Sequence, residues 1–247
     1  MLQAARPLHA SPAVGSGASS ASIDRVLSRD ERPSASDERP SASPASIERV
    51  LSSDEDFERE LPVPLRRKAS SYFTPLEVAR RAAALLAPEP GSVVLDVGSG
   101  VGKFCLAAAR SYPLSRFVGV EWREHFVTLA SELANRLGCA NTQFIHGDAL
   151  ALDWSAYNAF YFFNPFAEQL YEPAWVLDHS VALDPLNFER DVRAVIEKLA
   201  GCAIGTRVVT YHGFGGLPPV GFDCVAEVVD DEPLELWVKR RETPGSA

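Results

Sequence analysis

An α/β fold with a doubly wound, mostly parallel sheet is what this chain of 247 residues predicts. Three observations lead there. Apolar, β-branched runs alternate with helical stretches, the pattern of strands joined by crossovers that cover both faces of a sheet. A glycine-rich turn follows the first strand and opens a helix, an arrangement that brings backbone close to a ligand. The last two strands lie too close together for a helical crossover, so the sheet has an antiparallel edge. Hydrophobic residues at 46% and charged residues at 23% are ordinary globular usage.

Residues 1–60 stand apart from the rest. They are rich in Ser, Ala, Pro, Arg and acids, and Phe57 is their single aromatic. Such a segment buries too little apolar surface to offset its ordering entropy, so it is expected as a disordered tail, with the folded domain over 61–247. The tail repeats itself: Ser22-Ile23-Asp24-Arg25-Val26-Leu27-Ser28 recurs as Ser46-Ile47-Glu48-Arg49-Val50-Leu51-Ser52. Two copies are too few for a solenoid. They read either as a duplicated tail or as short motifs that turn helical on a partner.

Thr74-Pro75-Leu76-Glu77 reads as a helix start, with Thr74 as cap and Glu77 completing a capping box. That helix runs to Pro88-Glu89-Pro90-Gly91. A strand is expected over 92–97, a helix over 102–111, a strand over 116–120, and a helix over 123–137 closed by Gly138. Strands follow at 142–146 and at 159–163, the latter almost wholly aromatic and so buried on both faces. A helix over 188–199, a strand over 206–211 and a closing pair at 222–229 and 234–239 complete the series. No apolar run reaches the roughly 18 residues that span a bilayer, so no membrane partner is expected. Cys105, Cys139, Cys202 and Cys224 lie far apart without a CxxC pair, which gives neither a metal cluster nor a disulfide framework and points to a reducing, cytoplasmic setting. The net charge of −9 makes a nucleic-acid partner unlikely, since phosphate neutralisation needs a basic excess.

The chemistry concentrates in Asp96-Val97-Gly98-Ser99-Gly100-Val101-Gly102-Lys103. A mononucleotide P-loop would need Gly at Val97 and Ser or Thr at Phe104, and fails at both. A dinucleotide loop would space its glycines differently, and Asp96 would stand beside pyrophosphate, where a carboxylate is unfavourable. Lys103 reads as a solvated side chain.

D-x-G-x-G-x-G after a first strand resembles motif I of the class I, seven-strand S-adenosylmethionine-dependent methyltransferases. The resemblance covers about residues 70–240. It implies the strand order 3-2-1-4-5-7-6 with the last strand antiparallel, and S-adenosyl-L-methionine as cofactor. It implies that Gly98, Ser99, Gly100 and Gly102 pack against the cofactor and that Asp96 lies near its amino-acid end. Glu121 matches the acid that ends strand two and binds the ribose hydroxyls, and it stands near the roughly 20-residue offset of a ribose-binding acid. Asp148, with Ala149 beside it, matches the acid that binds the adenine amino group. Trp122 is expected on the adenine, and Tyr72 and Thr74 over the cofactor's carboxylate.

Asn164-Pro165-Phe166 ends strand four. It resembles the Asn/Asp-Pro-Pro-aromatic motif of amino-group methyltransferases, without the second proline, and with Ala167 it resembles a segment of the seven-strand histone-lysine methyltransferases. The resemblance gives Asn164 the target nitrogen and Phe166 the stacking surface; the same residues also read as a turn closing a buried strand. The implied partner is a protein or small-molecule acceptor methylated at nitrogen. Tyr72, Glu168 and His212 are the candidates to take its proton. Residues 167–187 are too long for a tight loop and are expected to shape the acceptor pocket. Arg66-Arg67-Lys68 reads as a solvated flank or an acidic-substrate contact, and Lys239-Arg240-Arg241 as a cap on the final strand. Methylation of another nucleophile, and a non-catalytic cofactor-binding protein, remain the alternatives.

Overall fold

The computed structural model describes residues 49–229 and 232–243. Their strands are β1 (Val93–Val97), β2 (Arg116–Glu121), β3 (Thr142–His146), β4 (Ala159–Phe163), β5 (Arg207–Tyr211), β6 (Phe222–Val229) and β7 (Glu232–Lys239). They form one seven-stranded sheet in the order β3-β2-β1-β4-β5-β7-β6. The neighbours from β3 to β5 are parallel, and β7 runs antiparallel to both β5 and β6. The strand order reverses between β1 and β4, which opens a crevice at the carboxyl edge there.

The helices are α1 (Asp54–Glu58), α2 (Val63–Arg66), α3 (Ala69–Tyr72), α4 (Leu76–Leu86), α5 (Lys103–Ser111), α6 (Glu124–Leu137) and α7 (Phe188–Ala200). Alternation along the central strands sorts the core into two layers. Val94 of β1 and Tyr161 of β4 face a cluster with α4, α5 and α6, while Leu95, Val97, Phe160 and Phe162 face one with α7. Period-two alternation places Asp96 with Val94 and Tyr161 on the α4–α5 side, and Asp96 and Tyr161 are cross-strand partners.

Several expectations need correction. Residues 49–60, grouped with the tail by composition, pack on the domain: Val50, Leu51 and Phe57 are buried in the same cluster as α4. A 60-residue average hid these few apolar positions. The first copy of the repeat lies outside the described residues, and only 49–52 of the second lie within them. Thr74 does not cap α4. Pro75 stands at the cap position and supplies no side chain. The Leu76 N–H donates instead to Asp54 Oδ1 at 2.9 Å, while Thr74 pairs with the Tyr161 hydroxyl at 3.1 Å. Glu77 turns outward to Arg81. Lys103 is not solvated: it is 3% exposed, and its Nζ lies 2.5 Å from Asp54 Oδ1. Lys239 does not cap a strand. Fully buried, it donates to the carbonyls of Ala200 and Cys202 at 2.7 and 2.6 Å, closing the C-terminus of α7 where a cation meets unpaired carbonyls. Among the described residues no helix is long and apolar enough to cross a membrane.

Candidate functional site

Where the strand order reverses, an open cleft with about 980 Å³ of empty volume lies against the ends of β1, β2 and β4. The turn after β1 forms one wall. Gly98, Gly100 and Gly102 have positive φ angles of 77°, 53° and 77°, which glycine alone adopts without strain. Gly102 also lacks room for a side chain, and Gly98 is tightly crowded. A methyl group on Gly98 would stand 3.0 Å from Pro165 Cβ, and one on Gly102 would stand 2.6 Å from the Phe144 ring. Gly98 and Gly100 line the cleft, whereas Gly102 starts α5 and packs away from it. Ser99 and Thr74 also lie outside the cleft wall.

Asp96 sits behind the turn rather than in the wall. It is buried, and Cys105 of α5 donates its thiol to Oδ2 at 3.6 Å. Burial pushes its carboxyl up to about 8; the Cys105 hydrogen bond works against that shift and the charge of Glu121 adds to it.

Glu121, at the end of β2, lines the cleft with its carboxylate spanning two turns. Oε2 accepts from the Gly100 N–H at 3.1 Å and Oε1 from the Arg123 N–H at 3.0 Å. Each carboxylate oxygen keeps acceptor capacity for a further donor. Trp122, Asp148 and Ala149 line the same cleft beyond Glu121. Asp148 already accepts from the Leu150 N–H at 2.8 Å through Oδ1.

β4 delivers the opposite wall. Asn164 has a φ of 44°, an uncommon conformation for a residue with a side chain and one that Asn tolerates best. Its N–H donates to the Gly213 carbonyl at 3.0 Å, which fastens this turn to the one after β5. Asn164, Pro165 and Phe166 all line the cleft. His212 also has a positive φ, 59°, stacks on Phe163 and lies outside the cleft wall.

Residues 167–187 fold as short 3₁₀ turns over 167–170, 173–175 and 185–187. Ala167, Glu168, Gln169, Tyr171, Leu177 and Leu183 bring this segment into the cleft wall, as expected of it. It is fastened from across the opening. Lys68 donates to the carbonyls of Val176 and Leu177 at 2.8 and 3.0 Å, and the Tyr72 hydroxyl donates to the Trp175 carbonyl. Lys68 is thus a strut, neither a solvated flank nor a substrate contact. Arg66 likewise bonds the carbonyls of Leu61 and Arg59.

Arg123 was not singled out by sequence, although it follows Glu121 by two positions. Largely buried in the cleft wall, its Nη2 lies 2.8 Å from Glu168 Oε2, its Nε 3.3 Å from Asp178 and its Nη1 3.5 Å from Glu121. Burial works against its charge, but Glu168, Glu121 and Asp178 outweigh it and hold the guanidinium above its ordinary pKa. Glu168 also accepts from the Leu177 N–H at 2.6 Å, so its carboxylate is engaged on both oxygens. Burial, then the Glu168 charge, pushes the Tyr72 hydroxyl up to about 12, which leaves it a donor and a poor proton acceptor. Gln169 had no sequence signal at all.

Comparison with known proteins adds several likenesses. Residues 88–173 match the model of a methyltransferase domain. The chain is 36% identical over 59 residues to a tRNA (guanine-N(7)-)-methyltransferase of Myxococcus xanthus (strain DK1622), a match spanning 24% of this chain and 29% of that enzyme. An RNA methyltransferase from Salinibacter ruber, solved in complex with S-adenosyl-L-homocysteine, aligns with a TM-score of 0.49 and 24% identity over 70% of this chain and 96% of that one. A precorrin-6y C5,15-methyltransferase from Geobacter metallireducens GS-15 aligns at 0.48 and 11% identity over 70% and 92%.

Proposed function

We propose that the chain is a class I, seven-strand methyltransferase whose cleft binds S-adenosyl-L-methionine and directs the methyl group to a nitrogen of a protein or small-molecule acceptor. One observation carries this reading: the glycine turn after β1, the Glu121 carboxylate and the Asn164-Pro165-Phe166 turn all border one cleft.

The residues present fit that cofactor. Gly98 and Gly100 leave a wall without side chains, and Glu121 retains acceptor capacity on both oxygens for a pair of ribose hydroxyls. Asp148 and Trp122 would hold the adenine end. When bound, the cofactor would supply an electrophilic methyl carbon, open to in-line attack by the acceptor nitrogen as the C–S bond breaks and the neutral thioether leaves. The protein's contribution is placement, worth up to about 7–11 kcal/mol in well-oriented systems. Asn164, pinned by Gly213, would hold the nucleophile by its N–H and turn the lone pair toward the methyl. Phe166 would cover the acceptor. With Tyr72 held protonated and Glu168 engaged by Arg123 and Leu177, the proton leaves to water.

A second reading, a nucleobase acceptor, is favoured by the name of the Myxococcus relative and opposed by the net charge of −9. Transfer from methyl-labelled S-adenosylmethionine into the protein, RNA and small-molecule fractions of an extract separates the two. Label in protein or small molecules supports the first reading, and label in RNA supports the second. Asn164→Ala should cut turnover about 100-fold or more, the scale of a lost positioning contact, while S-adenosylhomocysteine affinity stays within about twofold. A large affinity loss would move Asn164 into the cofactor site.

A further inference from the structure

Among the described residues, Ser99 Oγ and Gln169 Oε1 are the buried side-chain polar atoms with no hydrogen-bond partner. Leaving a buried acceptor unpaired costs roughly 1–3 kcal/mol, so each calls for a reason. Ser99 lies outside the cleft wall, packed over Gly119. Gln169 is in the wall, on the turn that follows Asn164-Pro165-Phe166, and is 4% exposed.

The orientation of its amide follows from its neighbour. Gln169 Nε2 lies 2.8 Å from Asp191 Oδ2 on α7. A carboxylate only accepts, so the NH₂ end must face Asp191 and the oxygen must point away from it. Asp191 is itself 1% exposed and is held on its other oxygen by Arg190 at 2.9 and 2.8 Å. A donor committed to a buried carboxylate also polarises the amide and strengthens its oxygen as an acceptor. Asp191 and Gln169 therefore form a relay that ends in one fixed, unfilled acceptor.

The charge around the cleft agrees. Glu121, Asp148 and Glu168 line it against the single guanidinium of Arg123, which Glu121 and Glu168 already engage. An anionic group would be repelled there, whereas a neutral or cationic N–H donor fits.

We propose that Gln169 Oε1 accepts a hydrogen bond from an N–H of the methyl acceptor, which makes Gln169 a specificity-determining residue for an amine- or amide-bearing substrate. This deepens, and rests on, the assignment of the cleft to S-adenosylmethionine. The probes are S-adenosylhomocysteine and sinefungin, an analogue that carries an amine on the carbon replacing the methylsulfonium and so presents N–H donors to the acceptor side. In calorimetric titrations the native chain should bind sinefungin about 10-fold or more tighter than S-adenosylhomocysteine, the scale of one charged hydrogen bond. Gln169→Met should bring that ratio below about threefold with S-adenosylhomocysteine affinity little changed. The paired exchange Gln169→Glu with Asp191→Asn reverses donor and acceptor within the relay yet still presents an oxygen to the ligand, so it should keep or raise the native ratio.

A native ratio near one, or one that survives Gln169→Met, overturns the proposal. So does loss of the ratio in the paired exchange, which would mark Gln169 as a packing residue. Should Gln169→Met fail to fold, the paired exchange decides alone by the same ratio. Failure of the native chain to bind S-adenosylhomocysteine is a different result, and refutes the cofactor assignment.

Discussion

Asp96 is held in a nearly waterless layer between β1 and α5, with a thiol as its side-chain partner. Burial raises its carboxyl to about 8 in the folded protein, against about 3.9 in an unfolded chain. Between those values the unfolded state has released the proton while the folded state keeps it. Stability therefore falls as pH rises from about 4 to 8, by at most about 1.4 kcal/mol per pH unit for one proton. Asp96→Asn, which keeps an oxygen for the Cys105 thiol, should flatten that slope and raise the melting temperature at pH 8. Thermal melts between pH 5 and 8 check this, and an unchanged slope would free Asp96 of the role. Glu121 acts differently, because its carboxylate braces the backbone of the turns after β1 and β2. Glu121→Ala should weaken S-adenosylhomocysteine binding by about 1.5–3 kcal/mol, the scale of a hydrogen bond to a charged group. Calorimetry that found no loss would remove Glu121 from the ribose contact.

Among the elements, α1 carries more than its length suggests. Asp54 caps α4 and neutralises the buried Lys103 of α5, while Phe57 is fully buried and lies under the Lys103 ammonium at 5.4 Å. Asp54→Ala removes a cap and strands a buried charge, and should cost about 2–4 kcal/mol in urea denaturation. Adding Lys103→Met should recover most of that, since the stranded charge goes with it. A double variant no more stable than Asp54→Ala would show that the cap, and not the ion pair, matters. Sequence reading could not reach this. Lys103 at the head of a helix looks solvated, and its partner lies 49 positions earlier in a stretch whose composition resembles a tail. The strands and the helices α4 to α7 were legible because each is bounded locally, by Gly138 after α6 or by the aromatic run of β4, whereas the short α1, α2 and α3 were not.

At the scale of the whole molecule, the parallel sheet with an antiparallel edge was legible from alternation and connection length, and the family likeness supplied the strand order that the structure bears out. Of the expected site, Tyr72, Gly98, Gly100, Glu121, Trp122, Asp148, Ala149, Asn164, Pro165 and Phe166 meet at the cleft. All but Tyr72 are legible because they lie at or just past strand ends, and parallel strands deliver their ends to one edge. Arg123, Gln169 and the strut Lys68 were not, because their roles depend on contacts between distant segments. One close approach has a wider meaning. Gly98 is crowded by Pro165, whose Cβ stands only 3.0 Å from where a Cβ of Gly98 would be. The turn assigned to the methyl donor and the turn assigned to its recipient thus bear on each other like the two jaws of a gauge. A side chain at position 98 would press on Pro165, so the absence of one lets the two turns stand this close. Acceptors of new shape would have to be accommodated by residues 167–187, leaving that spacing untouched.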